Sequence, residues 1–319
     1  MVSPKYSIII PVFNRPEEVE ELLESLSKQS FTNFEVLIIE DGSTKRSEAV
    51  FEKYAGRLSI QYFFKPNTGP GPSRNFGFEK ARGNYFVVVD SDCTLPPEYF
   101  EMVDKHLASK PLDAWGGPDR GHEKFSSLQR AMAYTMSSFL TTGGIRGGKN
   151  KSGSFQPRSF NMGMSRKVWE KTGGFKFDRL AEDIELSIRI RKAGFKVGLI
   201  PEAFVFHKRR AELYEFFRQV EGFGKGRVRV GKVHPGEIRI AHWFPSLMLL
   251  AYLALPIVIV TNRPAGMVLG ITLIAYSFLI FLGCIVETRS WTTALLSVPS
   301  AVVQLVGYGY GFISEKVRK

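Results

Sequence analysis

Short apolar stretches alternate with amphipathic stretches over the first 110 residues of the chain. The apolar stretches have the length of buried strands, and the amphipathic ones repeat their apolar residues at helical spacing. Strand–helix alternation of this kind is typical of a parallel, Rossmann-like sheet. The predicted strands are 7–11, 34–40, 59–64 and 85–90, and the predicted helices between them are 17–28 and 73–81.

Three uncharged stretches, 243–260, 265–286 and 291–313, dominate the last quarter of the chain. A membrane helix needs about 20 apolar residues, which the middle stretch supplies easily. The first stretch is short and contains two prolines, and glycines and polar residues dilute the third. Buried helices of a soluble domain are the alternative, but three such runs in succession favour a membrane-attached protein.

The number of membrane spans stays open between two and three. Three spans would place the basic tail 316–319 outside the cell, against the preference of basic residues for the cytosolic side. Two spans with one interfacial or re-entrant segment would keep the tail in the cytosol. In either case we expect a multi-pass protein of a bacterial-type inner membrane.

These patterns divide the 319 residues into three parts. An α/β domain is expected at 1–212, a basic juxtamembrane segment at 213–242, and membrane helices with a basic tail at 243–319. The first strand begins almost at the amino terminus, without the pattern of a signal peptide, so the α/β domain is expected in the cytosol. Cys93 and Cys284 lie in different parts, which excludes a disulfide framework.

The net charge of +12 makes nucleic acid one possible partner. Position explains the charge better, because residues 207–239 carry nine Lys or Arg against four Asp or Glu immediately before the first membrane stretch. Anionic lipids attract such a flank on the cytosolic side, so we expect membrane lipids and not nucleic acid as partners. A second basic stretch, 146–179, is either a site for an acidic ligand or a solvated loop.

The acidic pair Asp90-Ser91-Asp92 closes the predicted strand 85–90. Ligands of open α/β sheets bind at the carboxyl ends of the strands. Two carboxylates there are costly unless a cation or hydrogen-bond donors compensate them. Mg²⁺ and Mn²⁺ accept one or two carboxylates together with phosphate oxygens, so the pair suits a metal on a nucleotide diphosphate. A solvated turn is the alternative.

A second acidic pair, Glu182-Asp183, opens a predicted helix at 184–193 that is followed by Gly194. The helix dipole stabilises an acid at this position, so a capping role is one interpretation. The functional interpretation makes Asp183 a general base that takes a proton from an acceptor hydroxyl. Together the two pairs indicate group transfer from a nucleotide donor.

Other segments carry candidate ligand-binding side chains, each with a structural alternative. The loop Pro11-Val-Phe-Asn-Arg15 covers a ligand at the same sheet edge, or it is a simple turn. Asp41 accepts hydrogen bonds from a base or ribose, or it is a turn aspartate. Arg74, expected at a helix start, grips phosphate or ribose, or it forms a surface ion pair. His207 is a third metal ligand, and the basic trio 208–210 balances a leaving diphosphate or binds the membrane surface.

The order of these elements resembles the family-two glycosyltransferases with the GT-A fold. The resemblance covers residues 6 to about 210, and the motifs are specific as a set. Residues 207–210 and 216–227 are similar to the branch that includes succinoglycan-type exopolysaccharide glucosyltransferases. The matching motifs are Ser7-Ile-Ile-Ile-Pro-Val-Phe-Asn14, Val36-Leu-Ile-Ile-Glu-Asp-Gly-Ser43, Ser73-Arg-Asn-Phe-Gly77, 81–92, Gly173-Gly-Phe175, 182–189 and Ala193-Gly194.

The resemblance implies a GT-A, Rossmann-like mixed α/β sheet flanked by helices and followed by a helical membrane region. It implies an inverting transfer from a UDP-sugar contacted by Asp41, with a metal held through Asp92, Asp90 near the ribose and Asp183 as base. The full set of candidates is Pro11, Phe13, Asn14, Asp41, Arg74, Asp90 and Ser91 for the nucleotide sugar, Asp92 and His207 for Mn²⁺ or Mg²⁺, Asp183 for catalysis, and Glu182, Arg209 and Arg210 for the acceptor or diphosphate.

Gln219 is followed by Val-Glu-Gly-Phe, so the Gln-x-x-Arg-Trp element of processive synthases is missing. We therefore expect the addition of one sugar to a lipid-linked glycan in polysaccharide or exopolysaccharide biosynthesis. A rival within the class uses polyprenyl phosphate itself as the acceptor. A nucleotidyltransferase is a different class, but it would carry a Gly-rich phosphate loop after the first strand. A non-catalytic membrane receptor for nucleotide sugars is the third alternative.

Overall fold

The computed structural model describes residues 3–121, 125–143 and 155–318. Of the basic stretch 146–179, residues 146–154 therefore lie outside the described part. The chain forms two compact units, one made of residues 1–122 with 155–208 and the other of residues 123–154 with 209–319.

Strands occur in the first unit and helices in both. The strands are β1 (Tyr6–Val12), β2 (Phe34–Asp41), β3 (Ile60–Lys65), β4 (Tyr85–Val89), β5 (Cys93–Thr94), β6 (Ala114–Gly116), β7 (Asp119–Arg120), β8 (Asn161–Ser165), β9 (Val197–Leu199) and β10 (Val205–His207). The helices are α1 (Pro16–Ser27), α2 (Glu48–Tyr54), α3 (Pro70–Lys80), α4 (Tyr99–Ser109), α5 (Ser127–Ser137), α6 (Phe139–Thr142), α7 (Arg166–Thr172), α8 (Glu182–Lys192), α9 (Leu213–Val233), α10 (Phe244–Thr261), α11 (Arg263–Thr288) and α12 (Trp291–Val317).

The main sheet of the first unit has seven strands in the order β3-β2-β1-β4-β8-β6-β9. β1 pairs in parallel with β2 and β4, and β2 pairs in parallel with β3. The carboxyl ends of these four strands therefore lie at one edge of the sheet. The predicted strands 7–11, 34–40, 59–64 and 85–90 correspond to these four, with ends shifted by at most one residue.

Both faces of the central strands are covered by helices. Successive residues of a strand point to opposite faces, so the continuous apolar runs of β1 and β2 supply two cores. On one face Ile8 and Ile10 pack with α1 and α4, and on the other Ile9 and Leu37 pack with α3, α7 and α8. Burial on both sides explains why these strands read as apolar runs without alternation.

The sheet is mixed rather than wholly parallel. β8 runs antiparallel to both of its neighbours, β4 and β6. The four strands predicted within the first 110 residues are parallel, as the strand–helix pattern indicated, and the sheet becomes mixed through β8 (Asn161–Ser165), which lies in the irregular middle of the chain. The mixed α/β sheet implied by the family resemblance is confirmed.

A second, three-stranded sheet has the order β5-β10-β7. β10 pairs antiparallel with β5, which places His207 opposite Cys93 in the register. A segment more than 100 positions away in the chain is thus brought beside the acidic pair that follows β4. Residues 203–206 form an apolar run in the sequence that predicts a strand, and the observed β10 begins two residues later and ends one residue later.

Helix α3 begins at Pro70, three residues before the predicted start. Proline is favoured at the first position of a helix because its missing N–H has no helical partner there and its φ suits the helix. Gly69 precedes it with a φ of +100°, a conformation that favours glycine. Arg74 therefore lies in the second turn of α3 and not at its start, which corrects the sequence-based placement.

The second unit is helical, and α12 packs with α5, α9, α10 and α11. Three helices in it, α10, α11 and α12, are long and apolar enough to cross a membrane, judged by length and composition. They correspond to the three predicted apolar stretches. Residues 123–154 belong to this unit because α5 and α6 pack with α12. The two compact units therefore have other boundaries than the predicted parts 1–212, 213–242 and 243–319. That division stays a prediction.

Helices α9 and α12 approach each other closely at glycines. A Cβ on Gly224 would lie 2.2 Å from the carbonyl oxygen of Tyr308, and one on Gly311 would lie 2.1 Å from that of Glu221. Both distances are far inside van der Waals contact, so these positions need glycine. The run Gly307-Tyr-Gly-Tyr-Gly311, which dilutes the third apolar stretch, is thus a packing surface.

Candidate active site

The predicted acidic residues lie at the carboxyl edge of the main sheet in the first unit. Asp41 ends β2, and Asp90 and Asp92 follow β4 directly. Because β2, β1 and β4 are parallel neighbours, their following loops meet at this edge.

Arg74 connects the two acidic pairs. Its Nη2 donates to Oδ1 of Asp90 at 2.7 Å, and its Nη1 donates to Oε1 of Glu182 at 2.8 Å. The guanidinium is buried, and it also lies over the ring of Phe175 with 5.2 Å to the centroid. The alternative of a surface ion pair is therefore wrong, because Arg74 is a buried bridge between Asp90 and Glu182, and its contact with phosphate or ribose stays a prediction.

Glu182 is buried at the first position of α8. Burial raises the pKa of Glu182 to about 7, with the Asp183 charge adding to the rise and the Arg74 guanidinium opposing it. Besides Arg74, its Oε1 accepts a hydrogen bond from the Ser159 hydroxyl at 3.4 Å. The residue before it, Ala181, has a φ of +59°, an uncommon conformation for a residue with a side chain.

Asp183 has a different environment from its neighbour. Its side chain is 14% exposed, and its Oδ2 lies 3.6 Å from Nε of Arg158. Oδ2 also accepts a long hydrogen bond of 3.4 Å from the Ser159 N–H, while Oδ1 accepts one of 2.7 Å from the Ile184 N–H. Oδ1 thus accepts a hydrogen bond from a backbone N–H at the start of α8, as the capping interpretation expects, whereas Oδ2 has only long contacts.

Asp92 is buried between the side chains of Arg15 and His207. Its Oδ2 accepts a hydrogen bond of 2.6 Å from Nη1 of Arg15, and its Oδ1 lies 3.3 Å from Nε2 of His207. Burial by itself would raise the pKa of Asp92, but His207 and Arg15 together outweigh burial and lower the pKa below its usual value. The carboxylate is therefore ionised.

The surroundings of Asp92 fit a divalent cation. Among the described residues, Oδ1 of Asp92 and Nδ1 of His207 are buried without a hydrogen-bond partner. Ligand atoms of Asp92, Cys93 and His207 all lie within 4.8 Å of one another. Burial raises the pKa of the Cys93 thiol well above its ordinary value, so a thiolate ligand is disfavoured. Asp92 and His207 are the side chains that fit.

Asp41 is buried and organises the loop after β3. Its oxygens accept hydrogen bonds from the Thr68 N–H at 2.9 Å, from the Gly69 N–H at 2.8 Å and from Nζ of Lys65. Burial would raise the pKa of Asp41, but these donors lower it. The Asp41 carboxylate therefore has hydrogen-bond partners within the protein, as expected of an aspartate that stabilises a turn. Its contact with a base or ribose stays a prediction.

Asn14 joins the loops after β1 and β2. Its φ is +55°, and its Oδ1 accepts hydrogen bonds from the backbone N–H groups of Thr44 and Lys45 at 2.8 and 2.9 Å. Its own N–H donates to the Ser43 hydroxyl at 2.7 Å. The neighbouring Phe13 is 47% exposed at this edge. Asn14 thus fixes the loop that presents Phe13.

The remaining predicted residues divide between the two units. Pro11 lies within β1 opposite Ile39, and Ser91 is buried between the two aspartates. Arg209 and Arg210 belong to the second unit, where the Arg209 carbonyl accepts a hydrogen bond from Gln129 at 2.9 Å. Their suggested contact with the acceptor or diphosphate stays a prediction.

Three contributing residues were missed by sequence reasoning. Arg15 is the last residue of the loop motif after β1. Its positive charge, at the same edge of the sheet as Asp92, was the signal that could have identified it. Arg158 and Ser159, which contact Asp183 and Glu182, lie in a segment without a readable pattern. A continuous chain of side-chain contacts now runs from Asp90 through Arg74 to Glu182.

Comparison with known proteins places these features in a family. The model of a family described as glycosyl transferase family 2 matches residues 7–172, more than half of the chain. An uncharacterized glycosyltransferase of Rickettsia bellii (strain RML369-C) is 42% identical over 88 residues, which is 28% of this chain and 13% of that protein. The matched regions span between 13% and 46% of the curated relatives.

Solved structures share the fold. The mannosyltransferase PcManGT from Pyrobaculum calidifontis, in complex with GDP-Man and Mn²⁺, has a TM-score of 0.66 and 18% identity over 96% of this chain and 88% of its own. Residues 1–349 of S. aureus TarS, in complex with UDP-GlcNAc, give a TM-score of 0.50 and 19% identity over 98% and 91%. At these identities the likeness concerns the fold alone.

Proposed function

The chain belongs to glycosyl transferase family 2, and we propose that it moves a single sugar from a nucleotide-sugar donor of the UDP-sugar class to a hydroxyl of a lipid-linked glycan. The reaction takes place at the cytosolic membrane face in polysaccharide or exopolysaccharide biosynthesis, with inversion at the anomeric carbon. The observation that carries this proposal is Arg74, whose guanidinium holds Asp90 and Glu182 and so brings the two acidic pairs together.

Asp183 is the proposed base. Its carboxylate accepts the proton of the acceptor hydroxyl while that oxygen forms the new bond to the anomeric carbon. The bond from the anomeric carbon to the diphosphate oxygen breaks on the opposite face, and the nucleoside diphosphate leaves with the electron pair. A single displacement of this kind inverts the configuration. The loosely held Oδ2 of Asp183, with long contacts to Arg158 and Ser159, supports this role.

Neighbouring side chains prepare the donor site. Arg15 and His207 keep Asp92 ionised, and Asp92 with His207 is the proposed holder of Mn²⁺ or Mg²⁺. A divalent cation, when bound, neutralises the charge of the leaving diphosphate. Arg74 keeps Asp90 oriented toward the proposed ribose position.

The donor side of the site is proposed from the loops at the sheet edge. Asp41 and the loop after β3 contact the base, and Phe13, presented by Asn14, covers the nucleotide next to Pro11 and Ser91. PcManGT binds GDP-Man with Mn²⁺ and TarS binds UDP-GlcNAc, which supports a metal-assisted nucleotide-sugar donor for this fold.

The lipid-linked acceptor is supported by the chain itself. The same polypeptide carries three helices apolar and long enough to cross a membrane. A protein held at the bilayer meets acceptors that are anchored in the bilayer at high local concentration. Arg209, Arg210 and Glu182 are the proposed contacts of the acceptor or diphosphate.

A donor and product screen tests the proposal. Purified full-length protein in liposomes is incubated with UDP- and GDP-sugars, with and without Mn²⁺, and with extracted lipid-linked saccharides. Release of nucleoside diphosphate together with an extended, inverted glycan is the expected result. A sugar–phosphate–lipid product would instead identify polyprenyl phosphate as the acceptor, and donor binding without any transfer would identify a receptor.

A further inference from the structure

We propose that the chain crosses the bilayer twice, through α10 and α11, and that α12 lies at the membrane surface on the side of the α/β unit. All three helices have the length and composition of membrane spans. The proposal is independent of the reaction assigned to the first unit, and it rests on contacts within the second unit.

Helix α9 stays on the side of the α/β unit. It begins at Leu213, five residues after Lys208, the last residue of the first unit. A charged side chain at the centre of a membrane helix costs about 2.5–3.5 kcal/mol. The charged residues of α9 are distributed along its length, so it cannot span the bilayer; they are Glu215, Arg218, Glu221, Lys225, Arg227, Arg229 and Lys232.

The second half of α12 runs alongside α9 in the same direction. Gly307 approaches the Phe217 carbonyl, and Gly311 approaches the Glu221 carbonyl. Further along, Nε of Arg229 lies 3.1 Å from Oε1 of buried Glu315. The end of α12 is therefore held at the level of α9, on the side of the α/β unit.

The beginning of α12 is held on that side too. The hydroxyls of Ser127 in α5 and Thr292 in α12 lie 3.3 Å apart. Ser127 is six residues from Gly121 in the first unit, and six residues span at most about 20 Å. The hydrocarbon core is about 30 Å thick, so Ser127 cannot lie beyond it. Both ends of α12 are thus on one side, which excludes a crossing.

The surface of α12 agrees with this placement. In the most apolar 18-residue stretch of α12, 50% of the residues are buried within the protein, against 17% in the corresponding stretches of α10 and α11. Its buried positions include polar side chains that a lipid-facing span would avoid. These are Thr293, Ser297, Ser300, Gln304 and Glu315.

Helices α10 and α11 form the crossing pair. α10 starts beside α12, where Gly309 approaches the Pro245 carbonyl, and α11 folds back on α10, where Gly266 approaches Ile259. At 1.5 Å per residue the 22 residues from Ile240 to Thr261 and the 26 residues of α11 reach about 33 and 39 Å, enough for the hydrocarbon core. Large apolar side chains face outward on both helices, among them Leu250, Ile257, Ile271 and Phe278. The turn at Asn262 then lies on the far side.

The tail agrees with the preference of basic residues for the cytosolic side. Lys316 and Arg318 end on the side of the α/β unit, whereas Arg263, beside the far turn, is the one charged residue between Trp243 and Val286. A two-span arrangement therefore places most positive charge on one side of the membrane.

Cysteine labelling in native membranes tests the proposal. Single cysteines are introduced at Val317, at Thr261 and at Lys171, an exposed position of the first unit, in the full-length chain. A membrane-impermeant maleimide is applied to sealed vesicles of both orientations. V317C and K171C are expected to react from the same side, and T261C from the opposite side. Cys93 and Cys284 are buried, so the unsubstituted chain is the background control.

Two results would overturn the proposal. Labelling of V317C from the side opposite to K171C would mean that α12 crosses the bilayer. Labelling of T261C from the same side as K171C would mean that α10 and α11 do not cross. Arg318→Cys serves as a second reporter of the tail if V317C does not accumulate in membranes.

Discussion

Arg74 and Glu182 lie 108 positions apart in the chain, and Nη1 of Arg74 donates to Oε1 of Glu182 at 2.8 Å. The other nitrogen of the guanidinium donates to Asp90. α3 supplies the arginine, α8 the glutamate and the end of β4 the aspartate. The planar fork of arginine suits such a double contact, which a lysine cannot reproduce.

Replacing Arg74 by Met should both destabilise the protein and abolish transfer. The buried carboxylate of Glu182 and the partly exposed carboxylate of Asp90 would lose their cation, and breaking a buried pair such as Arg74–Glu182 costs about 3–5 kcal/mol. Thermal unfolding in detergent measures the loss, and Lys53→Met, which removes an exposed ion pair with Glu20, is the matched control with little expected effect. Full activity of R74M would contradict a bridging role.

The pKa of Glu182 is raised to about 7 from an ordinary 4.5, so the free energy of unfolding should fall as the pH rises. The folded protein holds this proton more tightly than the unfolded chain, so the stabilisation is complete below about pH 4.5. It is lost as the pH rises to about 7, and the difference is about 3 kcal/mol. Glu182→Gln, which cannot ionise, should lose less stability between pH 5 and 7.5 in denaturant unfolding.

The control for that profile is Glu52→Gln at an exposed position. It should reproduce the pH dependence of the unmodified chain. An unchanged profile in E182Q would show that other groups produce the pH dependence.

Asp183→Asn should lower turnover by about 10²–10⁴-fold, the range typical of a lost general base. Donor binding, measured by calorimetry with UDP, should stay nearly unchanged because the amide keeps the shape of the side chain. Asp178→Asn, an exposed aspartate five residues earlier, is the control and should keep full turnover. Normal turnover in D183N would disprove the base assignment.

Metal removal should abolish transfer, and Mn²⁺ should restore it. Asp92→Asn should weaken Mn²⁺ binding at least tenfold, measured by the loss of the free-ion electron paramagnetic resonance signal, because it removes an ionised ligand with an unpartnered oxygen. Asp104→Asn removes an aspartate that pairs with Lys5 and should leave Mn²⁺ binding intact. Equal Mn²⁺ affinity in D92N would exclude Asp92 as a ligand.

Gly311→Ala should separate α9 from α12. The new methyl group would lie 2.1 Å from the Glu221 carbonyl oxygen, and overpacking of this kind costs about 1–3 kcal/mol. Gly270→Ala is the matched control in the apolar helix α11, since its Cβ would meet Leu255 at an ordinary 3.7 Å. A melting temperature lowered in G311A but not in G270A is expected, and equal values would contradict the close approach.

Much of the first unit could be predicted from sequence because its signals are local. The apolar runs of β1, β2 and β4 predicted strands, and the acids after them predicted a site at the sheet edge. The family-two glycosyltransferase resemblance and its GT-A fold are confirmed. β8 escaped prediction because a five-residue strand with two methionines and a glycine carries little periodicity.

The site needed the tertiary structure because its partners are distant in sequence. No local pattern shows that Arg15 reaches Asp92 across 77 positions, or that β10 places His207 beside it. The sequence left Arg74 open between a phosphate or ribose ligand and a surface ion pair, whereas the structure buries it against two carboxylates. Charge and burial of a side chain depend on what folds over it, and that information is spread over the whole chain.

For the three long apolar helices of the second unit, too, some properties could be predicted from sequence and others needed the tertiary structure. Hydrophobicity and length alone determined that three segments of this protein are apolar enough to enter a bilayer, because those properties belong to each segment by itself. Only the tertiary structure decided that α12 packs along α5 and α9, because glycine contacts and the Arg229–Glu315 pair require both partners to be in place.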